Sequence, residues 1–326
     1  MSNKWRFFWV ASFTLVIFFQ ACGSHSWEEF IVSTADEKKM GREFDSLVRI
    51  GHKDVVSSGE KIFRPSTPEQ QALYDYYQAR GKEMVRLIDK KDMDALVPTS
   101  EKLCRNDLTN DRQTVKCDKD NFFEFNIIES KTKNAFAVPG GYVYFYTKIL
   151  EPASSNNNSG FKSESELMSV MGHEIGHVVL HHSRDRIVKQ VGASALISLL
   201  LGDGVGSLLA QLGASFWLLS NSREDEAQSD SMGFHYTRKM GISSKGLSDF
   251  FNRGLQKKAN GQCDKAANAS AGDVFSTHPP SCERVIANDN RIIINGTQNL
   301  PMDLHTDPKP FKQLVCDAFD MVSCPD

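Results

Sequence analysis

The segment His173-Glu174-Ile175-Gly176-His177 constrains the fold of this chain more than any other feature of the sequence. On an α-helix, residues four apart lie on one face, so His173 and His177 can both reach one metal ion. Glu174 then lies about 100° around the helix, where it can contact the attacking water without being a ligand. Apolar residues flank the motif, which predicts a long buried helix from Glu164 to about residue 189.

A catalytic zinc ion takes three protein ligands and keeps one position open, so a third ligand has to come from elsewhere in the chain. The charged segment 222–230 offers two carboxylates four residues apart, Glu226 and Asp230, on one helix face. We predict that Glu226 is the third ligand of one zinc ion per chain. We also predict that Asp230 orients a ligand imidazole through its other ring nitrogen. The alternative for such a charged run is a solvated helix face.

The N-terminus has the pattern of a secretory signal. Lys4 and Arg6 precede an apolar run at 7–19 that is too short for a comfortable membrane span. Cys22 directly after Ala21 resembles the cleavage site of bacterial lipoproteins. We therefore predict a lipoprotein-type signal peptide at 1–21, a lipidated Cys22, a tether at 22–35, and a periplasm-facing position on an envelope membrane, with the outer membrane favoured. Plain signal-peptidase cleavage and an uncleaved anchor are the alternatives.

Six further cysteines fall into three pairs that are local in sequence. In an oxidising compartment an even number favours disulfides, although some could be buried thiols. The predicted pairs are Cys104–Cys117, Cys263–Cys282 and Cys316–Cys324.

The remaining composition excludes some classes of protein. The net charge is -3 and no basic stripe occurs, which argues against nucleic acid as a partner. The apolar segment 191–220 is interrupted by glycines at 202–206, so two short helices packed on the domain are favoured over a membrane hairpin. Helices are also predicted near 34–50 and 69–88, and strands at 122–129 and 142–146.

Four blocks of the sequence resemble metallopeptidase family forty-eight, the gluzincins that include the CAAX prenyl protease, HtpX and periplasmic lipoproteins. Their order and spacing are similar to the family's over residues 30–290. Ser229 stands where the family usually has Ala, and the cysteine-bearing insert near 93–118 and the tail after 295 have no counterpart. The blocks are 134–144, the HExxH with the following His182, 222–233, and 276–280 with Arg284.

The resemblance implies an α+β, mainly helical zincin-like domain at 36–295, with a small sheet beside the active-site helix. The tail at 296–326 is expected to be disulfide-linked through the predicted Cys316–Cys324 pair. The resemblance also implies a zinc endopeptidase with Glu174 as general base and with misfolded or misassembled envelope proteins as substrates. One alternative is a chaperone or assembly lipoprotein with a latched zinc site. A membrane protease of the CAAX type is a third reading, against which the short, broken apolar segment argues.

Further residue roles rest on the same resemblance. Arg223 would either steady an oxyanion or form a structural ion pair. His278 would occupy the open zinc position, stabilise the transition state, or be an ordinary loop histidine. The strand after Pro139 would pair with extended substrate by strand addition. The substrate-binding residues expected there are Pro139, Gly140, Gly141 and Tyr142.

Overall fold

The structure is a computed structural model that describes residues 31–53, 55–98, 103–105, 114–151, 160–192, 221–257, 263–266, 274–320 and 324. Helices dominate and the sheet is small, so the predicted α+β class is confirmed. The helices are α1 (Thr34–Arg49), α2 (Pro68–Val85), α3 (Lys90–Leu96), α4 (Thr147–Leu150), α5 (Glu164–Val179), α6 (His182–Val191), α7 (Arg223–Met240), α8 (Lys245–Asn252), α9 (Val274–Thr277), α10 (Cys282–Ile294) and α11 (Phe311–Ala318). The strands are β1 (Lys61–Ile62), β2 (Cys104–Arg105), β3 (Thr114–Val115), β4 (Glu124–Glu129), β5 (Ala135–Val138), β6 (Tyr142–Tyr146), β7 (Leu255–Lys257) and β8 (Cys263–Ala266).

The four-stranded sheet has the order β1-β4-β6-β5 and lies between two helical layers. β4 and β6 run parallel, and the other neighbours are antiparallel. Successive side chains of a strand point to opposite faces. Tyr142 and Tyr144 of β6 therefore pack with α1 and α6, whereas Val143 and Phe145 join the core that contains α2 and α5. Both faces of the sheet are therefore buried against helices, and the HExxH helix α5 packs on one of them.

The HExxH helix α5 is buried along its whole length. It begins at Ser163, whose side chain accepts a hydrogen bond from the backbone of Glu166. Glycines allow α7 to cross it closely: a Cβ added to Gly172 would lie 3.1 Å from the Cα of Gly233, and one added to Gly176 only 3.0 Å from Met232 Cβ. This close approach carries the 222–230 segment to the two histidines.

The predicted single helix from residue 164 to about 189 is wrong, because the structure has two helices. Helix α5 ends at Val179, and α6 begins at His182. Between them His181 adopts a left-handed backbone with φ 56°, and its ring contacts Glu37 at 2.7 Å. Both helices bury an apolar face, so the spacing of hydrophobic residues continues across the break and does not reveal it.

Two of the three predicted cysteine pairs form as expected. Disulfides join Cys104 to Cys117 and Cys316 to Cys324. Cys282 is also disulfide-bonded, while the side chain of its predicted partner Cys263 lies outside the described residues.

The tail packs against the domain and does not extend away from it. Phe311 of α11 stacks on Tyr76 of α2 with ring centroids 5.7 Å apart, and Val315 is fully buried in the main core. Glu164, at the start of the HExxH helix, accepts hydrogen bonds from the backbone of Leu304 and His305. The stretch after residue 295 therefore shares its core with the preceding domain.

Several predictions concern parts of the chain that lie outside the described residues. These are the signal peptide at 1–21, Cys22, most of the tether and most of the apolar segment 191–220. None of the helices in the described ranges has both the length and the apolar character of a membrane span.

Candidate active site

His173 and His177 lie one helical turn apart on α5 and point into the interior. Their Nε2 atoms are 3.0 Å apart, and the two residues are 2% and 3% exposed. Burial lowers the pKa of His177 well below its usual range, so this imidazole is neutral and has a lone pair to offer. The structure thus gives the HExxH motif the geometry that binding of one ion by both rings requires.

Glu226 reaches the same point from α7. Its Oε1 lies 3.4 Å from His177 Nε2, and its Oε2 lies 3.5 Å from His173 Nε2. Ligand atoms at about 2.0–2.1 Å from a tetrahedral zinc ion are about 3.3 Å from one another. The separations of the two Nε2 atoms from each other and from the nearer Glu226 oxygens are close to that value. The roles of the three residues as ligands remain predictions.

Asp230 lies on the far side of His173 from this point. Its Oδ1 is 2.9 Å from His173 Nδ1. A carboxylate only accepts hydrogen bonds, so Nδ1 carries the proton and Nε2 faces the cluster with its lone pair. This is the arrangement that the predicted orienting role of Asp230 requires.

Arg284 binds both carboxylates, a role that the sequence reasoning did not assign. Its Nε and Nη2 donate to Asp230 Oδ2 and Oδ1, each at 2.7 Å, and its Nη1 lies 2.7 Å from Glu226 Oε2. Burial alone would raise the pKa of Asp230, but the adjacent guanidinium lowers it. In the same way His278 and Arg284 outweigh burial and hold the pKa of Glu226 well below its usual range. The need for such a residue could have been inferred from the sequence, because two buried carboxylates require a cation nearby to compensate their charge.

Glu174 is 1% exposed, and neither of its carboxylate oxygens accepts a hydrogen bond from the described residues. A buried carboxylate without such bonds is costly unless a cation or a polar ligand compensates it. Two imidazoles and Glu226 form a donor set of the kind that zinc takes, and Glu174 stands beside that set without belonging to it. The residues present therefore fit a zinc ion and its attacking water.

His278 completes a four-residue cluster with His173, His177 and Glu226, whose possible ligand atoms all lie within 4.8 Å of one another. Its Nδ1 is 2.9 Å from Glu226 Oε1 and 3.2 Å from His173 Nε2, while its Nε2 is 3.2 Å from Glu174 Oε1. The ring is 3% exposed. The interpretation of His278 as an ordinary loop histidine is therefore wrong.

The segment before His278 is fastened at several points. The backbone of Val274 donates to the Lys133 carbonyl at 2.6 Å, and Asn221 donates to the Thr277 carbonyl at 3.3 Å. Thr277 Oγ1 also donates to Asn134 Oδ1 at 3.2 Å. The cavity beside the cluster holds only about 10 Å³, roughly the space of one water molecule. In this conformation the site is closed to a polypeptide.

Asn221 is a further site residue that the sequence reasoning missed. Its Nδ2 donates to Glu226 Oε1 at 2.9 Å and lies 3.4 Å from His177 Nε2. Nothing in the local sequence distinguishes this asparagine from a polar loop residue, because its contacts depend on where α7 begins.

Arg223 lies at the first position of α7, and its side chain is exposed. It borders a cavity of 610 Å³ together with Glu226 and Asp230. The pKa of Glu283, across this cavity, is lowered by hydrogen bonds at the start of its own helix and, to a smaller extent, by Arg223. Arg223 thus lies on the same helix as Glu226 but outside the cluster, and its predicted role at an oxyanion remains a prediction.

The expectation that substrate pairs with the strand after Pro139 is wrong in its choice of strand. That strand, β6, has β4 on one side and β5 on the other, so it has no free edge. Other residues of the protein also pack tightly against the turn before β6. Tyr142 is fully buried, the Gly140 carbonyl accepts a hydrogen bond from Lys38, and a Cβ on Gly141 would lie 2.8 Å from the Phe122 carbonyl.

The sheet edge nearest the cluster belongs to β5. Phe136 and Ala137 of this strand border the small cavity that contains Glu174 and His177. The Ala137 carbonyl accepts a hydrogen bond from Ser183 Oγ at 3.2 Å, so a side chain of α6 occupies part of this edge.

The fold and the site together define a gluzincin-type metallopeptidase: an HExxH helix, a carboxylate from a second helix and a small sheet alongside. The comparison with known families agrees. Residues 106–292, more than half of the chain, match Peptidase family M48, and the chain belongs to this family. The resemblance seen in the four sequence blocks is confirmed.

Three relatives illustrate the range of the family. The chain is 28% identical over 178 residues to the metalloprotease LoiP of Escherichia coli strain K12, covering 53% of this chain and 64% of LoiP. It is 31% identical over 143 residues to a putative beta-barrel assembly-enhancing protease of Vibrio cholerae (40% of this chain, 28% of the relative), and 26% identical over 162 residues to the mitochondrial metalloendopeptidase OMA1 of Arabidopsis thaliana (50% and 30%). The aligned region thus spans less than two thirds of each relative.

Proposed function

We propose that this protein is a zinc-dependent endopeptidase of the bacterial cell envelope that hydrolyses misfolded or misassembled envelope proteins. The observation that carries the proposal is the convergence of His173, His177 and Glu226 beside the buried carboxylate of Glu174. Membership of family M48 and the names of LoiP and the assembly-enhancing protease support the activity and the compartment.

In the proposed mechanism, His173, His177 and Glu226 hold one zinc ion per chain. Bound there, zinc supplies Lewis acidity to the attacking water and to the scissile carbonyl. Glu174 accepts the proton of that water and returns it to the leaving amine. Asp230 and Arg284 keep the first histidine and Glu226 in the required orientation and charge state.

We propose that extended substrate pairs with β5, in place of the strand after Pro139. The edge of β5 borders Glu174 and His177, and strand addition would present a peptide bond there. Binding would require the Ser183 hydroxyl to leave the Ala137 carbonyl and the His278 segment to move out of the cleft.

A chaperone or assembly role is the second candidate function, and the position of His278 favours it. With His278 at the fourth corner of the cluster and the cavity closed, the site matches a latched state. The same geometry is compatible with a protease that opens when the latch is released, and the two functions differ in whether hydrolysis occurs.

Cleavage of unfolded casein by the zinc-loaded mature protein tests the proposal. We expect cleavage that a zinc chelator abolishes and added zinc restores. We expect His278→Ala to raise the rate of cleavage by about tenfold or more. If the contacts of His278 stabilise the closed conformation by about 1.4 kcal/mol, their removal increases the population of the open conformation tenfold. His235→Ala, at a histidine with a half-exposed ring away from the cluster, is the matched control and should leave the rate unchanged.

A fall in rate for the His278→Ala protein would instead assign His278 to stabilisation of the transition state. Absence of cleavage by both fully zinc-loaded proteins would contradict the protease proposal.

We further propose that residues 1–21 are a signal peptide and that Cys22 is lipidated, which the signal-like pattern at 4–22 supports. The tether predicted at 22–35 has to end before Val32, because Val32 is fully buried and α1 begins at Thr34. The predicted boundary between a domain at 36–295 and a tail at 296–326 is not kept either, since Val315 lies in the main core.

Cys22→Ser should move the protein from the membrane fraction to the soluble periplasmic fraction, because one lipid-modified position supplies the attachment. Fractionation with immunodetection measures this, and Ser24→Ala is the control. Retention of the Cys22→Ser protein on membranes would refute lipid anchoring at this residue.

A further inference from the structure

We propose that His182 is a positioning residue for His177, because it fixes which ring nitrogen of His177 carries the proton and therefore which one is free to bind metal. The inference rests on the proposed zinc site but not on any proteolytic activity. It concerns the second histidine of the HExxH motif, whereas Asp230 serves the first.

The break between α5 and α6 creates the contact. His181 has a left-handed backbone, α6 begins directly after it, and the His182 side chain lies against His177 in the last turn of α5. The rings of His177 and His182 meet edge to face, with centroids 5.0 Å apart and an interplanar angle of 71°. Their Nδ1 atoms are 2.8 Å apart, and His182 is 5% exposed. One of these two nitrogens donates a hydrogen bond and the other accepts it.

The far side of the His182 ring decides the direction of that hydrogen bond. His182 Nε2 faces two oxygens: Gln228 Oε1 at 3.1 Å and Asp225 Oδ1 at 3.9 Å. The Gln228 amide turns its oxygen toward His182, while its Nε2 donates to Glu224 Oε1 at 3.3 Å. An amide oxygen only accepts, so His182 Nε2 carries the hydrogen, and Nδ1 of the neutral ring is an acceptor.

It follows that His177 donates from Nδ1 and keeps its lone pair on Nε2. This Nε2 is the atom that faces His173 and Glu226 in the cluster. The hydroxyl of Ser229 is fully buried and lies 3.3 Å from His182 Nδ1, but the single lone pair of that nitrogen is taken by the shorter contact with His177. A neutral chain from Gln228 through His182 thus does for His177 what the charged Asp230 does for His173.

Zinc affinity of the mature protein, measured by competition with a chromophoric chelator, tests this inference. We expect His182→Phe to weaken zinc binding about 10- to 100-fold, because the ring volume is kept while the acceptor is lost. His182→Gln should recover most of this loss, since its amide oxygen can accept from His177 Nδ1. Gln228→Ala should weaken zinc binding by a smaller factor in the native background and have no effect in the His182→Phe background.

A spectroscopic readout separates the proposed role from packing alone. In zinc-loaded protein labelled with ¹⁵N-histidine, His177 should show a protonated Nδ1 and a metal-bound Nε2. The result that would overturn the inference is a wild-type zinc affinity in the His182→Phe protein, or equal losses in the Phe and Gln variants. If these effects appear while casein stays intact, the positioning role holds and the proposed peptidase function fails. If casein is cleaved and the His182→Phe protein binds zinc normally, the proposed peptidase function holds and the positioning role of His182 fails.

Discussion

Glu174→Gln should abolish casein cleavage, lowering kcat by about 10²–10⁴-fold, while the zinc content stays at one ion per chain. The amide has the size of the carboxylate but cannot accept the proton of the attacking water. Zinc should remain bound because Glu174 is outside the set of His173, His177, Glu226 and His278. Turnover of casein and metal analysis of the same preparations measure the two effects.

Glu69→Gln is the matched control for this substitution, because Glu69 is an exposed glutamate at the start of α2, remote from the cluster. It should retain full activity. The experiment also separates the two candidate functions. A chaperone with a latched zinc site would keep its function in the Glu174→Gln protein, whereas a peptidase would lose it. Undiminished casein cleavage by Glu174→Gln would remove Glu174 from the mechanism.

Arg284→Met should destabilise the zinc-free protein by about 3–5 kcal/mol. The methionine fills part of the space of the arginine but leaves Asp230 and Glu226 as buried charges without their principal cation. Bound zinc should reduce the loss because it compensates Glu226. Urea unfolding with and without zinc measures this. Arg284→Lys should fall between the two proteins, since an ammonium keeps the charge but not the two-point contact with Asp230.

The pH dependence of this effect follows from the lowered pKa values of Asp230 and Glu226. A carboxyl whose pKa is lower in the folded state stabilises the protein above its unfolded pKa of about 4, and this contribution disappears as pH falls through the folded value. The stability difference between wild type and Arg284→Met should therefore be full at neutral pH and shrink in acid. Arg291→Met, on the same helix and outside the ion pairs, is the control. Equal stability of Arg284→Met and wild type at neutral pH would show that the guanidinium does not compensate these charges.

Much of the site could be predicted from spacing within single helices. His173 and His177, like Glu226 and Asp230, are four residues apart, and the geometry of a helix places each such pair on one face whatever surrounds it. The chemistry of the residue types then restricts the ion. The helix starts and the β6 strand at 142–146 were predictable for the same reason, since caps and alternation are local signals.

Other features depend on contacts that spacing does not encode. The sequence pattern continues through residues 180–182, yet one left-handed residue ends the helix there, and His182 contacts His177 across the break. Alternation of apolar and polar residues identifies a strand but not its neighbours. The order of the sheet, with β5 and not β6 at the edge, could therefore not be predicted from the sequence. A prediction of substrate pairing that depended on this order failed accordingly.

The sequence by itself determined that one helix carries His173, Glu174 and His177 and that a second helix carries Glu226 and Asp230 on one face, from which the metal ligands and the base were predicted. Only the tertiary structure decided what surrounds them. His278 comes from a segment 105 residues after His173 to close the cluster, and Arg284 from a separate helix forms ion pairs with both carboxylates. The physical reason is that local periodicity fixes positions within an element, whereas the approach of distant elements is set by close packing and by the need to compensate buried charge.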